Sequence, residues 1–255
     1  MSNVFLFVAL ILSLVSCSGS TGAVTVESEA ISGTSTLTPS PTVEWFPPTE
    51  TPAPQPTPGT TSTPSLLDGV NGVVYSEIFR SLQGWMVPTT NRGEVNVDRS
   101  QINIVIREPG TYLAAVRENP EFDTYYVEIT ASPSLCQGKD EYGLLFQASG
   151  QNQYYRYGLS CDGELRLDRV SAGTVSAVQP WTPSSAVPRA APSQSRLGVL
   201  VERERMSFFI DDALQFSVEE RQFTSGTLGV FAHSRGETAV TVSFSGLIVR
   251  ELEIP

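Results

Sequence analysis

The sequence has a single histidine, three cysteines and few basic residues, with 16 Lys and Arg against 27 Asp and Glu. The formal charge is −11, and an acidic surface repels phosphate backbones, so nucleic acid is not an expected partner. One histidine and no cysteine cluster argue against a zinc site. No Gly-x-Ser-x-Gly motif occurs, so a catalytic triad would have to use His233, for which a structural or exposed role is the simpler interpretation.

Long apolar runs are also missing, as is any sustained helical periodicity. The longest apolar run, Val4 to Val15, is interrupted only by Ser13. A membrane-spanning helix needs about 20 apolar residues, so this run is too short to cross a bilayer. Its length is typical of the apolar core of a signal peptide.

The residues after this run are Leu14-Val15-Ser16-Cys17, followed by Ser18-Gly19. They resemble a bacterial lipobox. The resemblance implies that residues 1–16 are a lipoprotein signal peptide and that Cys17 is acylated after cleavage. Two or three acyl chains anchor a protein stably, so we expect an extracytoplasmic protein bound to a bacterial membrane at the cell surface. No Lys or Arg precedes the apolar run, which departs from the usual pattern, and an ordinary signal peptide cleaved nearby is the alternative.

Residues 17–65 consist mainly of Thr, Ser, Pro and Gly, and nine of the 18 prolines lie between Gly33 and Ser65. Such a segment cannot bury enough apolar surface to offset its ordering entropy, so a disordered linker is expected. Its proline repeats favour extended polyproline II structure, which would hold residues 66–255 away from the membrane.

The pattern changes at about residue 66, where short runs of Val, Ile, Tyr, Phe and Leu alternate with turn residues. We expect strands near 74–79, 102–107, 111–117, 123–131, 141–148, 154–161, 164–170, 195–202, 205–210, 214–218, 227–233 and 239–250. Asp162-Gly163 predicts a hairpin with a type I′ turn, and Asp211-Asp212 predicts a second hairpin. Many antiparallel hairpins in one chain predict an all-β domain of two packed sheets.

The order of these features resembles a known fold. The matching segments are Glu77-Ile78-Phe79, Gly84-Trp85, Tyr142-Gly143-Leu144-Leu145-Phe146, Tyr154-Tyr155-Arg156-Tyr157, Asp162-Gly163, Pro180-Trp181, Arg196-Leu197, Phe208-Phe209-Ile210-Asp211, Gly226-Thr227-Leu228-Gly229-Val230 and Phe244-Ser245-Gly246-Leu247. Together they resemble the concanavalin A-like lectin/glucanase jelly roll, in particular the LamG-like and 3-keto-disaccharide hydrolase-like domains of bacterial surface proteins. The resemblance implies a sandwich of two antiparallel sheets over roughly residues 73–250, and it says little about activity.

Cys136 and Cys161 belong to the exported part of the chain, where disulfides persist. If strands 141–148 and 154–161 pair, Cys161 ends its strand beside the loop that carries Cys136. We therefore expect these two residues to form a disulfide, with two free thiols as the alternative.

No catalytic set is expected from the sequence. Family 16 glucanases place alternate acids along one strand, whereas the nearest candidate strand here has Glu128 followed by Thr130. Related lectin-like folds bind Ca²⁺ with loop carboxylates, and Asp140-Glu141 and Asp211-Asp212 are the only acid pairs that hint at it. Neither pair has the spacing of a known loop, so surface charge is the default interpretation and no cofactor is expected.

A ligand-binding face is the better hypothesis. Strand alternation puts Val127, Tyr155 and Tyr157 toward the core and the residues between them outward. The outward set contains aromatic rings beside hydrogen-bonding groups, which suits a sugar. Its members are Tyr126, Glu128, Gln147, Tyr154, Arg156, Arg166 and Asp168, with Trp181 at the edge.

The sequence thus favours a lipid-anchored module that binds carbohydrate without cleaving it. The alternatives are an adhesion lipoprotein that contacts an envelope protein and a glycoside hydrolase of the 3-keto-disaccharide type. A further alternative for the outward set itself is an ordinary solvated sheet with cross-strand ion pairs such as those of Glu128 and Arg156.

Overall fold

The computed structural model describes residues 66–252, and all regular secondary structure in that range is β-strand. The predictions for the signal peptide, for Cys17 and for the linker concern residues outside this range. The strands are β1 Val70–Glu77, β2 Trp85–Met86, β3 Gly93–Asp98, β4 Gln101–Ile106, β5 Tyr112–Arg117, β6 Tyr125–Leu135, β7 Glu141–Ser149, β8 Gln153–Ser160, β9 Glu164–Ser171, β10 Thr174–Pro183, β11 Ser195–Val201, β12 Met206–Ile210, β13 Ala213–Val218, β14 Thr227–His233 and β15 Val240–Leu252.

The strands form two antiparallel sheets, which confirms the predicted sandwich. The first sheet has the order β13-β12-β11-β6-β15-β4-β3, with β1 also paired to β15. The second sheet has the order β10-β9-β8-β7-β14-β5-β2. Each sheet contains neighbouring strands that are far apart in sequence, such as β6 beside β15 and β7 beside β14.

Strand β15 holds the first sheet together. It pairs with β6 along one edge, and along the other it pairs first with β4 and then with β1. The register with β6 shifts between Ser245 and Ile248, and Gly246 in this gap has a φ of 62°. This positive φ is readily adopted by glycine, which allows the strand to continue past the irregularity.

The core lies between the two sheets, and the predicted alternation is confirmed. Tyr155 and Tyr157 on β8 belong to the same buried cluster as Val127 and Ile129 on β6. Phe208 on β12 is a central contact across the gap. Its ring lies 6.0 Å from the ring of Phe146 and 5.0 Å from that of Tyr157 in the second sheet, and 4.5 Å from that of Phe216 on the neighbouring strand β13. Large aromatic side chains therefore fill the space between the sheets.

The predicted disulfide is confirmed. Cys136, just after β6, is bonded to Cys161, just after β8, and both residues are buried. The bond ties the connection between the sheets to the end of a strand in the second sheet.

Three strands were not predicted, namely β2, β3 and β10. Strand β10 contains Pro180 and Pro183 and is mostly exposed, so it lacks both the apolar alternation and the backbone donors of a typical strand. It can form because it lies at the edge of the second sheet, where a missing N–H leaves no inner neighbour unpaired. Strand β2 has only two residues, whereas β3 has six and carries its two valines at alternate positions.

Candidate functional site

A groove of about 740 Å³ lies on the face of the second sheet that points away from the core. Its size falls within the range of small-molecule sites. Strands β5, β8, β9 and β14 supply most of the lining, and the segments around them complete it. The lining residues are Pro88, Tyr112, Ala114, Val116, Gln151, Asn152, Tyr154, Arg156, Arg166, Val170, Gly173, Val175, His233 and Arg235.

Strand alternation explains why these side chains meet. On β8 the core takes Tyr155 and Tyr157, so Tyr154 and Arg156 point to the groove. Arg156 lies directly opposite Asp168 on β9. His233 ends β14 and is the register partner of Tyr112 on one side and of Glu141 on the other. Chain segments far apart in sequence thus converge on one surface.

Two buried carboxylates lie beneath the groove. The Asp168 carboxylate accepts hydrogen bonds from Nε and Nη2 of Arg156, at 3.1 and 2.6 Å, and also pairs with Nη2 of Arg166. Oε1 of Glu141 lies 2.9 Å from Nδ1 of His233 and accepts from Nε of Arg235 at 3.0 Å. Both acids are essentially inaccessible to solvent, and their contacts orient the basic side chains above them.

The ion pairs keep Glu141 ionised. Burial alone would raise its pKa, but the hydrogen bond from His233 and the charges of Arg156, Arg166 and Arg235 outweigh this and lower the pKa to about 2. A carboxyl with so low a pKa is a charged structural partner at neutral pH. It is poorly suited to donate a proton, because a catalytic acid needs a pKa near the working pH.

Aromatic rings form the other part of the groove. The hydroxyl oxygens of Tyr112 and Tyr154 lie 3.3 Å apart, and the ring of Tyr112 stacks on Phe231 at 5.7 Å. The guanidinium of Arg156 lies over both the Tyr112 and Phe231 rings, at 5.6 and 5.4 Å. Burial and the nearby Tyr154 hydroxyl raise the pKa of Tyr112, so its hydroxyl stays protonated and can donate a hydrogen bond.

Three of the predicted binding residues line the groove, namely Tyr154, Arg156 and Arg166. Trp181 lies outside the lining but contacts it, since the guanidinium of Arg166 sits 4.8 Å from the centre of its ring. Gln147 is on the same sheet but is fully buried, because the register of β7 with β8 shifts there and its φ is 47°. Its Nε2 points to the carbonyl of Asp123, at 3.5 Å, and the residue is not part of the groove lining.

The prediction that Tyr126 and Glu128 share this face is wrong. Both lie on β6 in the first sheet, so their outward side is the opposite surface of the domain. Tyr126 packs there against Phe209, and Glu128 pairs with Arg250 at 3.4 Å across neighbouring strands. For Glu128 the cross-strand ion pair considered above is therefore what the structure contains.

Sequence reasoning missed Tyr112, His233, Arg235 and the role of Glu141. Glu141 was considered only as half of the acid pair with Asp140. The Asp140 carboxylate accepts hydrogen bonds from the backbone amides of Arg235, at 2.8 Å, and Gly236, at 3.0 Å. The pair thus supports the groove and its rim, and residues 66–252 contain no group of three or more metal-ligating side chains that could hold an ion.

The other acid pair, Asp211-Asp212, forms the turn between β12 and β13, where both residues have positive φ and contact Arg196. This confirms the predicted hairpin. Within the described part of the chain, no helix has the length and apolarity needed to cross a membrane.

No model of a known protein family matches this sequence, and no curated protein is significantly similar to it. Solved structures with a similar fold do exist. The carbohydrate-binding module CBM66 from Bacillus subtilis matches with a TM-score of 0.55 at 14% identity, covering 66% of this chain and 96% of that one. The catalytic domain of an endo-1,3-β-glucanase (laminarinase) from Thermotoga petrophila matches at 0.52 and 11% identity, covering 72% and 98%.

A protein of unknown function with a galectin-like fold, also from Bacillus subtilis, matches with a TM-score of 0.52 at 12% identity, covering 71% and 96%. At such low identities the likeness concerns the fold alone. Residues 66–252 therefore form a concanavalin-like sandwich, as the sequence features had indicated.

Proposed function

We propose that residues 66–252 bind carbohydrate in the groove of the second sheet and do not cleave it. The observation that carries the proposal is the Tyr112–Tyr154 pair set beside the guanidinium of Arg156. Aromatic rings suit the apolar C–H face of a sugar, while phenol and guanidinium groups supply hydrogen bonds for its hydroxyls.

The similar structures support this proposal by their described roles. One is a carbohydrate-binding module, and another is the catalytic domain of a glucanase. The same sandwich thus serves both binding and cleavage in other proteins, and the choice between them must come from this groove.

The chemistry of the groove favours binding. Its lining contains no Ser, Thr or Cys that could act with His233 as a nucleophile. The two carboxylates beneath it, Glu141 and Asp168, are held in ion pairs and are buried. A glycosidase of the usual type needs one carboxyl that is protonated at working pH, whereas the pKa of Glu141 is lowered.

The proposed binding is tested with the full chain in mild detergent on a glycan array. Tyr154→Ala should weaken binding by tenfold or more. Tyr154→Phe, which removes only the hydroxyl group, should weaken it by a smaller factor. Tyr126→Ala is the matched control, since it removes a nearly buried tyrosine from the opposite sheet. Thermal unfolding of each variant checks that the fold is kept. Binding lost in Tyr126→Ala but kept in Tyr154→Ala would place the site elsewhere, and no binding to any glycan would leave the adhesion alternative.

We also propose that the chain is held on a bacterial membrane through acylated Cys17. The lipobox-like sequence before this residue supports the proposal. Mass spectrometry of the mature N-terminus should show a diacylated cysteine, and Cys17→Ala should release the protein from the membrane fraction. An unmodified N-terminus at a different position would contradict it.

A further inference from the structure

The lining of the groove is cationic, although the chain is acidic. It includes three arginines and the only histidine, and no Asp or Glu is among its lining residues. The whole chain has a formal charge of −11. A concave surface of one charge sign concentrates ligands of the opposite sign.

Buried acids hold the guanidinium groups of the groove from below. Glu141 and Asp168 are two carboxylates that serve three guanidinium groups, those of Arg156, Arg166 and Arg235. Each guanidinium therefore has a carboxylate partner but shares it with another basic side chain, while the third buried acid, Asp140, holds the backbone amides of Arg235 and Gly236. Nε of Arg166 is buried and lies 3.6 Å from Oε2 of Glu141, which is slightly too far for a hydrogen bond.

The guanidinium groups are also pre-oriented. Asp168 holds Arg156 and Arg166 from below, and the ring of Trp181 supports Arg166 from the side. Arg235 is anchored by two of its nitrogens on Glu141, yet 41% of its side chain is exposed. A planar fork fixed in this way matches a carboxylate, which accepts two parallel hydrogen bonds.

We infer that the groove binds an acidic carbohydrate and that Arg235, with Arg156 and Arg166 beside it, receives the carboxylate of the sugar. This inference rests on the proposed carbohydrate binding and specifies its ligand class. The carboxylate of the sugar supplies an anionic group on the open side of the groove, where no Asp or Glu is among the lining residues. The Tyr112 and Tyr154 hydroxyls then lie beside the sugar ring and bind its hydroxyl groups.

The test uses pairs of oligosaccharides that differ only in charge. Oligogalacturonate, oligoglucuronate, oligomannuronate and sialyllactose are each offered as the free acid and as the methyl ester, together with neutral and sulfated glycans. Affinities for the full chain are measured by calorimetry at low and at moderate salt. At least one free acid should bind tenfold or more tightly than its ester, and added salt should reduce the difference.

Variants link the effect to the groove. Arg235→Ala should lower affinity for the free acid by about tenfold and affinity for the ester by a clearly smaller factor, and Arg235→Lys should lie between Arg235→Ala and the parent chain. Arg107→Ala is the matched control, because the side chain of Arg107 is 52% exposed, is ion-paired to Glu94 and directly follows β4 of the first sheet. It should have no effect.

Each outcome separates the two proposals. Equal affinities for free acids and their esters would overturn the acidic-ligand inference and leave carbohydrate binding in place. Binding of neutral glycans as tightly as acidic ones, lost in Tyr154→Ala, would have the same consequence. Binding of sulfated glycans alone would overturn the assignment of a carboxylate. The absence of binding to every glycan, charged or neutral, would overturn both.

Discussion

Glu141 and His233 are register partners on neighbouring strands β7 and β14, and Oε1 of Glu141 lies 2.9 Å from Nδ1 of His233. The same oxygen accepts a hydrogen bond from Arg235, so one buried carboxylate holds two basic side chains of the groove in place. Because of this contact, the only histidine of the chain has a fixed position in the groove. Its other ring nitrogen is not bonded to Glu141.

Glu141 predicts a loss of stability in acid. Its pKa is about 2 in the folded protein, against 4.5 for the unperturbed group. Because the folded pKa is the lower one, the stabilisation is present above pH 4.5 and is lost as the pH falls toward 2. The free energy of unfolding should drop by about 3 kcal/mol on this account, as measured by urea unfolding at a series of pH values. Glu141→Gln should be less stable at pH 7 and should show a shallower decline, and an identical decline in both proteins would contradict the assignment.

Asp168 predicts a large cost for losing a buried charge. Asp168→Asn leaves Arg156 and Arg166 without their shared carboxylate, and removing one partner from a buried ion pair costs about 3–5 kcal/mol. Glu128→Gln is the control on the opposite sheet, where longer contacts to Arg196 and Arg250 should be worth about 1 kcal/mol or less. Chemical unfolding measures the loss of stability in both variants. Similar losses would show that the ion pairs of Asp168 stabilise the fold no more than those of Glu128.

The disulfide predicts a redox-dependent stability. It joins residues 25 apart in sequence. Closing such a loop in the unfolded chain stabilises the fold by about 3 kcal/mol on the chain-entropy account. The double variant Cys136→Ala, Cys161→Ala should lose about this amount, and a reducing agent should lower the melting temperature of the parent protein only. A parent protein that melts at the same temperature with and without reductant would refute the prediction.

Trp181 predicts a positioning effect on Arg166. The contact of the ring with the guanidinium is worth at least about 0.5–1 kcal/mol, the lower part of the range for cation–π pairs. Trp181→Ala should therefore weaken binding of an acidic glycan by a few-fold, and Trp181→Phe should restore most of it. Calorimetry with the free acid and its methyl ester distinguishes this from general damage, because the ester's affinity should change little in either variant.

Local patterns were enough to predict the faces of individual strands. Alternation placed Tyr154 and Arg156 on one side of β8 and Tyr155 and Tyr157 on the other, as the structure has them. The hairpin at Asp162-Gly163 is also confirmed, but its turn type is not. A type I′ turn needs positive φ at both central residues, whereas only Gly163 has one, at 85°.

Sheet membership could not be predicted in this way. Strand β6 looks as suitable for the groove as β8, because Tyr126 and Glu128 alternate as Tyr154 and Arg156 do. Its place beside β11 and β15 is set by contacts between distant parts of the chain. For the same reason His233 and Tyr112 gave no local sign that they would meet.

Asp140 joins the disulfide to the groove. Its backbone carbonyl accepts a hydrogen bond from the amide of Cys161 at 3.0 Å, and its carboxylate holds the amides of Arg235 and Gly236. The segment that carries Arg235 is therefore ordered when the domain folds and does not have to be ordered by a ligand. Since the entropy of that segment is already lost, more of the contact energy at Arg235 is available as affinity.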